Sequence, residues 1–200
     1  MGADKRIWQG CLPYLGFAEY HDWIPVPDSK YDLKEYCRFL IDACKISSDD
    51  VLIGVSMGGM VAAEIGQQLG NEKIIQVSSC TKIQQLSSMI SFISPIGTIF
   101  PFGSLAHVPN ALLPGNCIKL ANAMYQDSNK DFLRWAAGAL MGWGGLVPDR
   151  QTISILGDKD FIFPLKKQHP TSILSGGSHL MVLTHPEVVG TFIKSHLPKY

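Results

Sequence analysis

Residues 51–59 read V-L-I-G-V-S-M-G-G, and the rest of the chain answers to them. Val51, Leu52, Ile53 and Val55 form a β-rich apolar run, short enough for a buried parallel strand. Gly54, Ser56 and Gly58 then spell G-x-S-x-G, and Met60–Leu69 continues as an Ala-rich apolar helix. A serine at such a junction must turn sharply, with strained backbone angles that leave its hydroxyl exposed at the end of the strand. The flanking glycines are expected where a Cβ would collide with the neighbouring strand or helix. The N–H groups of Met57 and its neighbours point out of the new helix, where they can stabilise an oxyanion. G-x-S-x-G alone recurs by chance, but a strand before it and a helix after it make the match more specific. A free serine is a poor nucleophile, so the chain must also supply a base and an acid.

Composition limits the alternatives. Two hundred residues fit one domain with a substantial core. With 46% hydrophobic residues and a formal net charge of zero, the chain has no broad electrostatic reason to bind nucleic acid or an anionic membrane. Cys11, Cys37, Cys44, Cys80 and Cys117 are odd in number, scattered and without C-x-x-C spacing. They read as reduced, mostly buried thiols of a cytoplasmic protein. No signal peptide is read at the N-terminus.

Upstream of the strand, Asp32 and Glu35 have capping-box spacing, and Leu33, Tyr36, Cys37, Leu40, Ile41 and Cys44 mark one helix face. Trp23–Pro27 (W-I-P-V-P) reads as a short strand, and Ile7–Leu15 as a short helix limited by Pro13 and Gly16. Downstream, Lys73–Ser78 is another short strand. Alternating strands and helices imply βαβ units, hence an α/β fold with a mostly parallel sheet and flanking helices.

Thr81–Val147 breaks that rhythm. No Asp, Glu, Lys or Arg occurs from Ile83 to Ile118, yet four prolines interrupt the run. A membrane-spanning helix needs about 20 unbroken apolar residues, so stable membrane insertion is not expected. Two readings stay open: a buried insertion with loops, or a cap over the serine lining an apolar substrate pocket. Ser128 with Asp131 then starts a helix bearing Phe132, Leu133, Ala136 and Leu140. Trp135 and Trp143 pack it onto the pocket or onto the core. Thr152–Leu156 and Thr171–Leu174 resume the sheet, and Pro186 opens a terminal helix.

Open parallel sheets place ligand chemistry in loops at the carboxyl ends of strands. Asp160 follows strand 152–156 and His179 follows strand 171–174, giving the order Ser56, Asp160, His179 that an elbow architecture requires. Here His179 would take the Ser56 proton through one ring nitrogen while Asp160 holds the other. Asp158 is a rival acid, and His185 a rival base that directly precedes Pro186. The other four histidines have no comparable setting. No cluster has metal-ligand spacing, and no phosphate-binding loop occurs, so neither metal nor cofactor is expected.

These motifs resemble those of the α/β-hydrolase superfamily over nearly the whole chain. G-V-S-M-G-G at 54–59 is similar to its nucleophile elbow, G-D-K-D-F-I-F-P at 157–164 to its acid loop, and G-G-S-H at 176–179 to its histidine loop. The resemblance implies Ser56, Asp160 and His179 as catalytic residues in a single domain, 1–200, with a helical cap insertion at about 81–148. It implies a serine hydrolase of carboxylic esters, or of thioesters or amides, and the uncharged 83–118 segment points to a small-molecule substrate with an apolar acyl or alcohol group. A lyase or a ligand-binding member of the same fold, or an inactive truncated form, is the alternative. M-G-A-D-K-R-I-W at the start looks like the end of the oxyanion loop, which would put the Met1 N–H beside that of Met57. The chain would then begin after the strand that carries this loop in the family, an N-terminally truncated form. Such a form is expected to leave a gap beside 51–55, or to shift 23–27 across to fill it, and to leave residues 1–6 poorly anchored.

Overall fold

Short strands with apolar side chains on both faces need cover above and below, and the helices provide it. The computed structural model describes residues 2–87, 115–147 and 152–198. Strands β1 (Leu52–Val55), β2 (Ile74–Val77), β3 (Ile153–Gly157) and β4 (Ser172–Leu174) form one sheet in that order, every pair parallel. Leu52 lies opposite Ile74, Ile75 opposite Ile153, and Leu156 opposite Ile173.

The strand pleat divides the core in two. Ile74 and Leu156 face α2 (Leu33–Cys44), α3 (Met57–Leu69) and α5 (Lys130–Gly142), through residues such as Tyr36, Met60 and Phe132. Ile75, Val77 and Ile155 face the N-terminal 3-10 segment Lys5–Cys11, α1 (Leu12–Leu15), α6 (Met181–Thr184) and α7 (Pro186–Ser195). Asp32 accepts from the N–H of Glu35 at 2.8 Å and Glu35 accepts from that of Asp32 at 2.8 Å, so the expected capping box forms. Pro186 sits in the first turn of α7, where its missing N–H costs nothing.

Several sequence expectations need correction. Ile7–Leu15 is not one helix: a 3-10 segment gives way to α1, whose first turn holds Pro13. Trp23–Pro27 is not a strand. Pro25 and Pro27 have no N–H to give a ladder, and the segment is held by side chains instead. Trp23 Nε1 donates to Ala3 O at 3.0 Å, and Tyr36 Oη donates to Ile24 O at 2.7 Å. Residues 2–6 are not loose. Asp4 caps the 3-10 segment by accepting from the Arg6 N–H, the Arg6 guanidinium bridges Asp4 and Asp127, and Lys5 pairs with Asp22 at 3.1 Å.

Beyond β2, α4 (Gly115–Asp127) and α5 follow each other closely. The cap of α5 is Asn129, not Ser128: its Oδ1 reaches the N–H groups of both Asp131 and Phe132, while the Ser128 hydroxyl turns back to Tyr125 O. Trp143 donates to buried Glu64 on α3 at 2.9 Å, and Trp135 donates to Tyr31 O at 2.8 Å, so both tie α5 to the body of the fold. Residues 88–114, most of the uncharged run, and 148–151 lie outside the described residues. So does much of the expected cap at 81–148. Among the described residues, no helix is long and apolar enough to cross a membrane.

One edge of β1 is open. Leu52 N–H donates to Lys73 O and Ser56 N–H to Val77 O, so the even-numbered residues bond β2. The backbone groups of Ile53 and Val55 therefore face the other way, where no strand pairs among the described residues. Trp23–Pro27 has not moved across to fill the place.

Candidate active site

β1 delivers Ser56 into the first position before α3 with φ 53° and ψ −122°, a backbone state that a side-chain-bearing residue adopts only under constraint. The constraint is crowding. A Cβ on Gly54 would lie 2.1 Å from Gly58 O, and one on Gly59 would lie 2.5 Å from Ser79 Cβ. Gly58 differs: a Cβ there meets nothing within 4 Å. The expectation that both motif glycines avoid collisions thus holds at Gly54 and fails at Gly58, because position 58 faces the cavity rather than the sheet. Gly59, outside the motif, is the second crowded position.

A serine before a helix commonly caps it with its hydroxyl. Ser56 makes no such cap. Its Oγ lies 3.0 Å from His179 Nε2, and His179 Nδ1 lies 3.0 Å from Asp160 Oδ2. Asp160 follows β3 and is 4% exposed; its Oδ1 accepts from the N–H groups of Ile162 and Phe163 at 2.9 and 3.0 Å. Oδ2 is left to accept from Nδ1–H, which assigns the ring tautomer and turns the Nε2 lone pair to the Ser56 hydroxyl. The Phe163 ring backs the imidazole, centroids 5.4 Å apart.

The acid and histidine loops are pinned to each other. Gly157 and Gly177 approach so closely that a Cβ on Gly157 would sit 2.0 Å from Gly177 O. Lys159 N–H donates to that same carbonyl at 2.9 Å. Asp158, the rival acid, accepts from Gly176 N–H at 2.7 Å and so joins the two loops without touching His179. His185, the rival base, meets Thr184 Oγ1 at 2.8 Å and stays at the start of α7. His196 lies against Phe192 O, and His107 is outside the described residues.

The N–H groups of Met57 and Gly58 are the first of α3 and have no intrahelical acceptor. Met57 is one of the two expected oxyanion donors. Met1, the other expected donor, lies outside the described residues. Ser56 and His179 open into a cavity of about 820 Å³ that runs along the free edge of β1. Leu15, Val61, Ile65, Ala121 and Met124 give it apolar walls. All five cysteines are unbonded thiols, and burial pushes Cys80 up to about 12 and Cys11 up to about 11, so neither competes as a nucleophile near neutral pH. Among the described residues, no group of three or more His, Cys, Asp or Glu could hold a metal ion.

Sequence reasoning missed the polar groups beneath the elbow. Gln76 on β2 and Ser79 just after it are 1% and 2% exposed. A glutamine inside K-I-I-Q-V-S carries no local signal of such burial. Its only hint is polarity in the middle of an apolar strand.

No family model matches the chain, and no curated protein matches its sequence. Solved structures do resemble it. An esterase from Thermogutta terrifontis is 16% identical over 96% of this chain and 85% of that one, with a TM-score of 0.67. An esterase from Exiguobacterium antarcticum is 15% identical over 97% and 87%, with a TM-score of 0.68. A bromoperoxidase from Bacillus anthracis is 16% identical over 96% and 88%, with a TM-score of 0.61. At such identities the likeness speaks for architecture alone. The parallel sheet, its flanking helices and these neighbours together give the chain the α/β-hydrolase fold.

Proposed function

We propose that the protein is a serine hydrolase that cleaves a carboxylic ester, or less readily a thioester or amide, through an acyl-enzyme on Ser56. The observation that carries this reading is the pair of 3.0 Å contacts linking Ser56 Oγ, His179 and Asp160 at the foot of one cavity. In the first step Ser56 Oγ attacks the ester carbonyl carbon and passes its proton to His179 Nε2. Asp160 holds Nδ1–H and offsets the charge of the imidazolium. Met57 N–H, with Met1 as the second donor on the same reading, stabilises the tetrahedral oxyanion. Gly2, next in the chain to Met1, lines the cavity. The C–O bond to the alcohol then breaks, and His179 returns its proton to the leaving oxygen. Water repeats the sequence: it gives a proton to His179, attacks the acyl carbon and releases the acid, and the proton returns to Ser56. No cofactor enters either half-reaction.

The apolar walls support an apolar acyl or alcohol group in the substrate. Ala121 and Met124 of α4 belong to those walls, which supports a cap role for the 81–148 insertion. Free thiols support a reducing, cytoplasmic setting. Ser56→Ala should abolish acyl-enzyme formation and aryl-ester hydrolysis while leaving the circular dichroism and melting temperature near those of the wild type. Full hydrolysis by that variant would sink the assignment. A panel of aryl esters of increasing chain length would rank substrates. The likeness to a bromoperoxidase favours keeping a second reading, a non-hydrolytic member of the same fold, whether lyase or ligand-binding protein. A folded protein whose Ser56 ignores a fluorophosphonate would favour binding. A reactive serine with no ester turnover would favour a lyase.

A further inference from the structure

The strained backbone at Ser56 has to be held open, and steric crowding fixes only where it cannot go. What pulls it into place is a buried polar network under the elbow. Ser79 Oγ donates to Ser56 O at 2.7 Å. Gln76 Nε2 donates to Gly59 O at 2.8 Å and to Cys80 O at 3.0 Å. Thr152 Oγ1 donates to Gln76 Oε1, which fixes the amide with its NH₂ toward the two carbonyls. Ser56 N–H is held from the opposite side by Val77 O at 3.0 Å.

We propose that Ser79 and Gln76 are positioning residues for Ser56, clamping the carbonyls at both ends of the 56–59 turn so that the hydroxyl meets His179. The proposal rests on reading Ser56 as the nucleophile. Two features favour it over simple core filling. Two of the three carbonyls that the clamp holds, Ser56 O and Gly59 O, belong to the elbow itself; Cys80 O is the third. Ser79 also leaves no room for a side chain at position 59, its Cβ lying 2.5 Å from where one would start. The same residue therefore sets the turn by a hydrogen bond and by contact. With Ser79 Oγ removed, Ser56 O keeps its helical acceptor bonds from Gly59 N–H and Met60 N–H, so the helix persists while the strand-to-helix turn gains freedom.

The test is the rate and the final extent of labelling by a fluorophosphonate, measured on the full chain for wild type, Ser79→Ala and Gln76→Met. The positioning role predicts that Ser79→Ala labels to the wild-type extent but about 10- to 100-fold more slowly, as expected for a small misplacement of a reacting atom. The kcat for an aryl ester should fall by a similar factor, with KM held within about threefold. Gln76→Met should do the same, and the double variant should lose less than the product of the two, since both act on one turn. A merely structural role gives another signature: a reduced extent of labelling at the wild-type rate, in proportion to the fraction folded. That outcome, or wild-type kinetics in Ser79→Ala, overturns the proposal. If Gln76→Met does not fold, Ser79→Ala decides alone. A folded wild type that does not label at all removes the nucleophile reading and this inference with it, a result distinct from a Ser79→Ala variant that labels normally.

Discussion

At Ser56 the backbone itself is crowded and clamped into a strained turn, whereas the side chains of Asp160 and His179 are aimed by the hydrogen bonds they make. At the elbow, backbone meets backbone: the space a Cβ would need at Gly54 is already filled by Gly58 O at 2.1 Å. At the acid, both carboxylate oxygens are satisfied, one by two N–H groups and one by the imidazole. Crowding is unforgiving and local, because a neighbouring carbonyl cannot rotate away as a side chain can. Hydrogen bonds are directional but individually modest, about 0.5–1.5 kcal/mol net. The two halves of one site should therefore fail differently.

Gly54→Ala tests the crowded half and should have the largest effect on stability. The new Cβ must displace the first turn of α3, an overpacking cost of about 3 kcal/mol or more against rigid backbone. Urea unfolding should show the stability loss, and hydrolysis by the folded fraction should drop about 100-fold or more as Ser56 shifts. Wild-type stability in this variant would mean that the elbow yields, and the contrast between the two halves would collapse.

Asp160→Asn and Asp158→Ala test the hydrogen-bonded half as a pair. Asn at 160 keeps the shape but turns an acceptor into an amide, favouring the wrong tautomer of His179. A loss of about 10⁴ in kcat is expected, with the melting temperature little changed. Asp158→Ala removes the links to Gly176 N–H and Ser175 Oγ and should cost about 1 kcal/mol of stability, with kcat within about tenfold of wild type. Steady-state kinetics on both variants would check the order. Equal losses would return Asp158 to contention as the acid.

The contrast also explains what could be read in the sequence. The elbow, the capping box at Asp32 and Glu35, and the first-turn Pro186 are local: their physics lies within a few consecutive residues, and they formed where expected. Asp160 could be separated from Asp158 only through the family-like spacing, because both sit in one loop and their partners lie elsewhere in the chain. Trp23–Pro27 was misread as a strand because extended character is local but pairing is not, and two prolines deny it a ladder. The α5 cap was off by one because Ser128 and Asn129 are both competent, and only Asn129 reaches two N–H groups. Gln76 and Ser79 were invisible, since what makes them matter is the elbow packed above β2. Gly157 is legible as the first residue of the acid-loop motif, but its crowding is not, for the same reason: the backbone that excludes its side chain belongs to Gly177.

Gly58→Ala should have the smallest effect and sharpens the comparison most, because it changes a motif glycine that crowding does not require. Its φ is not in the left-handed region, and nothing lies within 4 Å of the added Cβ. Position 58 is in the first turn of α3, where alanine is favoured over glycine by up to about 1 kcal/mol in a helix interior and by less near its end. Stability should therefore hold or rise slightly, in direct contrast to Gly54→Ala four residues earlier. The new methyl would face the cavity that Gly58 lines. Any cost should thus appear where the substrate sits, as a KM raised for bulky esters, while kcat for the smallest ester stays within about threefold. A kcat collapse with the smallest ester would mean that position 58 is needed bare for the reaction itself, through the approach of the oxyanion to the first N–H groups of α3. The glycine would then be retained for chemistry rather than for folding, and the open side of the elbow would prove as tightly specified as its crowded side.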